Sequence, residues 1–247
     1  MKRAVKAYKN LEFLNSRQAR VLRILSEYLE PEKRFNEHNI KHTVVFFGSA
    51  RVNTAKNRLK QTQRYYAAAE ELAFKLSLWS QELSKDGDNF TLCTGGGPGI
   101  MEAANKGAQR ANSLSIGLNI SIPHEQIPNK YVTPELNFEF HYFFMRKLWF
   151  LYPAKALLFF PGGYGTLDEL FETLTLIQNG KINKNNVIIL LYEKKFWEEV
   201  INFEKLIELK FISPADVKLF HYYETADEGL AYLKPHLVKI IREFRLP

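Results

Sequence analysis

Two side chains stand out as able to do chemistry. Glu169 closes the run Pro161-Gly162-Gly163-Tyr164-Gly165-Thr166-Leu167-Asp168-Glu169, and Arg146, with Lys147 beside it, interrupts the aromatic stretch Tyr142 to Phe150. A carboxylate next to a bound nucleotide can reach its sugar or activate a water. A planar guanidinium suits a phosphate or a carboxylate. Each also has a plainer explanation: Thr166 and Glu169 fit a Thr-x-x-Glu capping box, and long basic side chains can snorkel to the surface.

The surrounding pattern shows what must position these groups. Ala156 to Phe160 is a short apolar run bounded by Pro, which reads as a buried parallel strand. Gly162, Gly163 and Gly165 let the backbone turn tightly. Leu170, Phe171, Leu174 and Ile177 then carry a helical period, so the free N–H groups of a helix start face the turn and offer a seat for phosphate. The same unit occurs earlier in the chain. Phe90 to Thr94 reads as a strand, Gly95-Gly96-Gly97-Pro98-Gly99 as a turn, and Ile100 to Ala104 as a helix start with Glu102 near its N-terminus. A third turn, Gly48-Ser49-Ala50-Arg51, follows the strand Thr43 to Phe47; there Ser49 could donate to a nucleotide and Arg51 pair with a phosphate. None of these turns is a Walker loop or a Gly-x-Gly-x-x-Gly fingerprint, which disfavours ATP hydrolysis and NAD chemistry.

The remaining elements alternate. A polar, amphipathic helix over Leu11 to Leu29 ends near Pro31; a long helix spans Gln61 to Leu83; Ser115 to Ser121 and Asn137 to His141 are strands. Pro123 to Pro134, with His124, Glu125, Asn129 and Tyr131, is an irregular loop placed as a lid. Val187 to Leu191 is a buried strand, Phe196 to Leu209 is helical, Asp216 to Tyr222 is an edge strand, and Thr225 to Phe244 closes the chain as a helix. The expected fold is α/β: a Rossmann-like, doubly wound, mostly parallel sheet with helices on both faces. Residues 1–40 form an N-terminal helical extension and 41–247 a single nucleotide-binding domain.

Composition narrows the function. The chain has 247 residues, 46% hydrophobic and 25% charged, with no apolar run long enough to span a membrane and no apolar signal core after its basic start. Its single cysteine, Cys93, excludes an internal disulfide framework and fits a reducing cytoplasm. The net charge of +7 is scattered, densest over Lys41 to Lys60, which includes Arg51, Lys56 and Arg58. No zinc-ligand spacing or RNA-binding signature accompanies it, so small anions fit better than nucleic acid.

The run Pro161 to Glu169 resembles the Pro-Gly-Gly-x-Gly-Thr-x-x-Glu motif of the Lonely Guy family, the phosphoribohydrolases of cytokinin riboside 5′-monophosphates and related nucleotide nucleosidases, also labelled lysine decarboxylase-like. Met145-Arg146-Lys147 resembles the Arg-Lys element that precedes the motif, and Gly48-Ser49-Ala50 and Gly95 to Gly99 match the family's other turns, so the resemblance covers residues 42–235. It implies hydrolysis of the N-glycosidic bond of a nucleoside 5′-monophosphate, of the AMP or cytokinin type, with Arg146 and Glu169 as the catalytic pair. Gly48, Ser49, Gly95, Gly96, Gly97, Gly99, Glu102, Met145, Lys147, Gly162, Gly163, Gly165 and Thr166 would bind substrate, and Arg146 would hold Glu169 ionised. It implies no metal or cofactor and a homo-oligomer. Phe143-Phe144-Met145 stands where short plant-type members have Met-His-Glu, which points away from a cytokinin substrate. The decarboxylase label fails on chemistry, because pyridoxal phosphate needs a Schiff-base lysine and neither glycine turn has one. The alternative is a binding protein such as a molybdenum cofactor carrier, which shares the fold and turns but has no need of the Arg146 and Glu169 pair.

Overall fold

The computed structural model describes residues 3–52, 59–84, 88–122 and 127–243. Within them runs a seven-stranded sheet: β1 (Thr43–Phe47), β2 (Thr91–Thr94), β3 (Ser115–Ile120), β4 (Asn137–Phe140), β5 (Ala154–Phe159), β6 (Ile188–Tyr192) and β7 (His221–Tyr223). Their order is β4-β3-β2-β1-β5-β6-β7. Every pairing is parallel, where the sequence suggested a mostly parallel sheet. The apolar runs account for this: β1, β5 and β6 are buried along their whole length, as strands covered on both faces must be.

The period of two sorts their side chains between two cores. Val44 and Phe46 face α3 (Lys60–Ser84), α4 (Ile100–Arg110) and α9 (Ala226–Glu243). Val45 and Phe47 face α2 (Arg20–Glu37), α5 (Phe143–Leu151) and α6 (Tyr164–Gln178). The connection from β1 runs to β2 on one side, while that from β5 runs to β6 on the other. The fork between the carboxyl ends of β1 and β5 is the switch point where doubly wound sheets bind ligands.

The N-terminal segment departs from its expected pattern in an informative way. After the short α1 (Leu11–Asn15), α2 does not stop near Pro31 but runs through it. Pro31 has no N–H for the carbonyl of Glu27 one turn back. That carbonyl accepts the indole N–H of Trp149 on α5 instead, at 3.1 Å. The Glu27 carboxylate accepts the backbone N–H groups of His141 (2.8 Å) and Tyr142 (3.2 Å), which caps α5 from outside. The extension therefore holds the helix that carries Arg146. Glu27→Ala is expected to cost about 1–2 kcal/mol by uncapping α5, read as a lower urea midpoint at unchanged m-value.

Two further elements differ from the sequence reading. The helix expected over Phe196 to Leu209 is two, α7 (Lys194–Val200) and α8 (Phe203–Glu208), because Asn202 leaves the helical path to accept Lys205 N–H at 2.8 Å. The edge strand expected from Asp216 begins only at His221. Asp216 accepts Ser213 N–H (2.6 Å) and Oγ–H (2.9 Å) and so winds the segment into a turn.

Candidate active site

A cleft of about 590 Å³ opens at the switch point. β1 leads into one wall through Phe47, Gly48, Ser49, Ala50 and Arg51. The opposite wall is the start of α6, from Gly163 to Glu169. Arg146 of α5 and Gly95 after β2 close the base, and Ile120, Ile122, Phe143 and Phe150 supply an apolar side.

The geometry of α6 replaces the capping box. The helix begins at Tyr164 with Gly163 as its N-cap and no side-chain cap, so Thr166 is already inside the helix and cannot cap it. Glycines allow this earlier start, and it leaves the first N–H groups of α6 without intrahelical partners at the cleft wall. Side-chain space beside Gly163 and Gly165 is open. Glu169 is then the sixth helical residue, more than one turn in, and points into the interior.

Glu169 is 6% exposed and its Oε2 is buried with no hydrogen-bond partner. Burial pushes its carboxyl up to about 7, against the opposing pull of Lys147 and then Arg146. Arg146 acts in the expected direction, favouring the ionised carboxylate, while desolvation is the larger influence. Burial likewise pulls the Arg146 guanidinium below its ordinary value, with Glu169 opposing. Arg146 does not snorkel out. Its Nε donates to Leu118 carbonyl at 2.8 Å, and its Cζ lies 4.9 Å from the Phe150 ring centre. A Cβ on Gly95 would come within 2.6 Å of Arg146 Nη2, so that glycine makes room for the guanidinium.

The other residues expected at the site divide clearly. Gly48, Ser49, Gly95, Gly163, Gly165 and Thr166 line the cleft with Arg146 and Glu169. Gly96, Gly97, Gly99, Gly162, Glu102, Met145 and Lys147 do not. Glu102 faces α3 and accepts the Tyr66 hydroxyl at 2.9 Å. Met145 is buried in the core behind Arg146, because one residue along a helix turns the side chain by about 100°. For the same reason Lys147 points away from the cleft, toward Asp168 (2.8 Å) and Glu172 (2.7 Å) on α6, and so ties α5 to α6. Gly99 has φ +71° and lies against the Ser49–Ala50 backbone, which locks the two glycine turns together.

Of the loop expected as a lid, His124 and Glu125 lie outside the described residues, as do Lys56 and Arg58. Asn129 lies beneath the glycine turn. Its Nδ2 donates to the Gly96 and Gly97 carbonyls, both at 3.0 Å, and to Asn105 Oδ1 at 2.9 Å, while Thr94 Oγ1 donates to Asn105 Oδ1 at 2.7 Å. Sequence reasoning missed this buried network and the apolar wall of Ile120, Ile122 and Phe143. An asparagine among the small apolar residues of α4 was the available signal for the first; nothing local marked the second.

Residues 101–233 match the model of a family described as possible lysine decarboxylase. The chain is similar to the probable cytokinin riboside 5′-monophosphate phosphoribohydrolase LOGL3 of Oryza sativa subsp. japonica, at 28% identity over 212 residues that cover 81% of this chain and 87% of the rice protein. Among solved structures it is similar to the Moco carrier protein of Chlamydomonas reinhardtii, with TM-score 0.50, 20% identity, and 81% and 99% of the two chains covered. It is also similar to the molybdenum cofactor binding protein of the phototrophic bacterium Rippkaea orientalis, with TM-score 0.51, 18% identity, and 78% and 94% covered. At these identities the two structures establish a shared fold.

Proposed function

The chain belongs to the family described as possible lysine decarboxylase, the Lonely Guy family, and from that premise we propose that it hydrolyses the N-glycosidic bond of nucleoside 5′-monophosphates to free base and ribose 5-phosphate. The observation that carries this reading is Glu169: a buried carboxylate with a bare oxygen, held near neutrality, in a cleft whose wall is an open helix N-terminus. The family description's own activity finds no support, since no lysine among the described residues lines the cleft.

In this reading the 5′-phosphate sits on the first N–H groups of α6 and the base lies on the wall of Phe143, Ile120 and Ile122. The bond between C1′ and the base nitrogen breaks through an oxocarbenium-like state. Its electron pair leaves with the base, which takes up a proton. Water bonds to C1′ and gives a proton to ionised Glu169, whose charge also stabilises the cation. Arg146 orients the substrate across from Glu169. The relative from rice supports the class of reaction. AMP is the default substrate, because Phe143-Phe144-Met145 departs from the pattern of the short plant-type enzymes.

The test is incubation with AMP, GMP, CMP and isopentenyl-adenosine monophosphate, following base and ribose 5-phosphate by chromatography. Release supports the reading. Nucleotide binding by calorimetry without release from any of the four would sink it and favour a carrier.

Lys147 gives this reading a pH signature. It is the largest charge holding the Glu169 carboxyl down. Lys147→Met should therefore raise that value further, so that the ionised form needed for water activation appears only at higher pH. The rising limb of kcat/KM against pH should move alkaline, with about threefold to tenfold less activity at pH 7 and recovery at pH 9.

A further inference from the structure

Helix α5 carries Arg146 but does not secure its own start. Tyr142 is its N-cap without a side-chain cap, and no acid lies in its first turn. The missing acceptors come from α2: the two oxygens of the Glu27 carboxylate take the N–H groups of His141 and Tyr142. Tyr142 in turn accepts the backbone N–H of Arg146 on its carbonyl, at 3.2 Å. A single residue therefore separates Glu27 from Arg146 along the hydrogen bonds. About one turn further along α5, the Glu27 carbonyl takes the Trp149 indole N–H, and the Trp149 ring lies against Tyr28 (5.6 Å) and Phe35 (5.2 Å) of α2. Glu27 thus grips α5 on both sides of Arg146, with its carboxylate before it and its carbonyl after it.

The side chain of Arg146 depends on this grip. Among the described residues its one side-chain hydrogen bond runs from Nε to the Leu118 carbonyl, and it otherwise rests on Phe150 of the same helix. A guanidinium held so lightly moves with its helix, so the seat of α5 decides where it meets a substrate. An error of about 1 Å in such a group can cost about a hundredfold in rate.

We propose that Glu27 is a positioning residue for the reaction, acting through the seat of α5 from a helix that precedes the first strand of the sheet. Its effect on rate rests on the nucleosidase reading; its effect on Glu169 does not. The two cations that pull the Glu169 carboxyl down, Lys147 and Arg146, both sit on α5, while Glu172 and Asp168 on α6 push it up. A displaced α5 weakens that pull and moves the Glu169 titration to higher pH. Loss of the Glu27 charge acting directly through space would move it lower.

The test compares Glu27→Ala with Asn202→Ala, which removes the cap of α8 and should lower the urea midpoint about as much. Both are assayed with AMP well below their melting temperatures. In Glu27→Ala, kcat should fall about tenfold to a hundredfold with KM within about threefold; in Asn202→Ala it should stay within about twofold of wild type. The Glu169 midpoint, followed by carbon-13 NMR of its carboxyl and assigned with Glu169→Gln, should rise by about 0.5 or more in Glu27→Ala and stay in place in Asn202→Ala. This second readout needs no turnover, so it decides the role even if no nucleotide is hydrolysed. Trp149→Phe, which removes the other half of the grip, takes the place of Glu27→Ala should that variant fail to fold. A Glu169 midpoint unmoved or lowered, or in an active enzyme a kcat no lower than that of Asn202→Ala, would overturn the role.

Discussion

Glu169→Gln is expected to abolish measurable base release, with kcat down by about 10²–10⁴, while nucleotide affinity stays within a few-fold. The substitution keeps the shape of the side chain and removes only its ability to carry charge and take a proton. The same variant should change stability in a pH-dependent way. Between about 4.5 and about 7 the unfolded chain has released the Glu169 proton while the folded chain still holds it. Native stability therefore falls as pH rises through that window, and Gln, neutral throughout, is spared the loss. At pH 8 the variant should be more stable by up to about 3 kcal/mol, and at pH 4 the two should melt together. An inactive variant less stable than wild type at pH 8 would show that Glu169 is a structural ion-pair member and not a desolvated base.

Gly99→Ala should be the most damaging single methyl in the turns. The added carbon would lie 2.3 Å from the Ser49 carbonyl oxygen, at a φ of +71° that alanine rarely adopts. The obstacle is backbone on both sides, so no rotamer relieves it. The expected cost is about 3–5 kcal/mol, a drop in Tm of roughly 10 °C. Gly165→Ala is the control. Its side-chain space is open and it lies inside α6, so it should be neutral or stabilise by about 0.5–1 kcal/mol. Equal losses in both variants would mean that the contact between the turns does not hold the site together.

The fold was legible wherever burial repeats locally. β1 is Thr43–Phe47 in both sequence and structure, and the expected long helix, Gln61 to Leu83, falls inside Lys60–Ser84. Each is decided by an apolar period within one segment. Outcomes decided between segments were not legible. Pro31 reads as a stop because the sequence does not show that Trp149 will satisfy the carbonyl it abandons. Lys147 stands beside Arg146 in sequence, yet packing sends one to an acidic pair on α6 and the other into the cleft. The glycine turns marked the place of the site. They did not show which glycines face a ligand and which, like Gly99, only let two turns touch.

The strand order has a consequence for synthesis. β1 pairs with β2 soon after it, but its other edge waits for β5, since Thr43 aligns with Ala154 more than a hundred residues later. At ordinary elongation speeds that is on the order of ten seconds during which the half-sheet β1 to β4 can form beside an unfinished edge. That edge is Thr-Val-Val-Phe-Phe, uncharged and rich in β-formers, the composition that recruits strands from other chains. The central strand of the finished sheet is thus the nascent chain's aggregation hazard, and the interval of risk is set by the ribosome and not by the native stability.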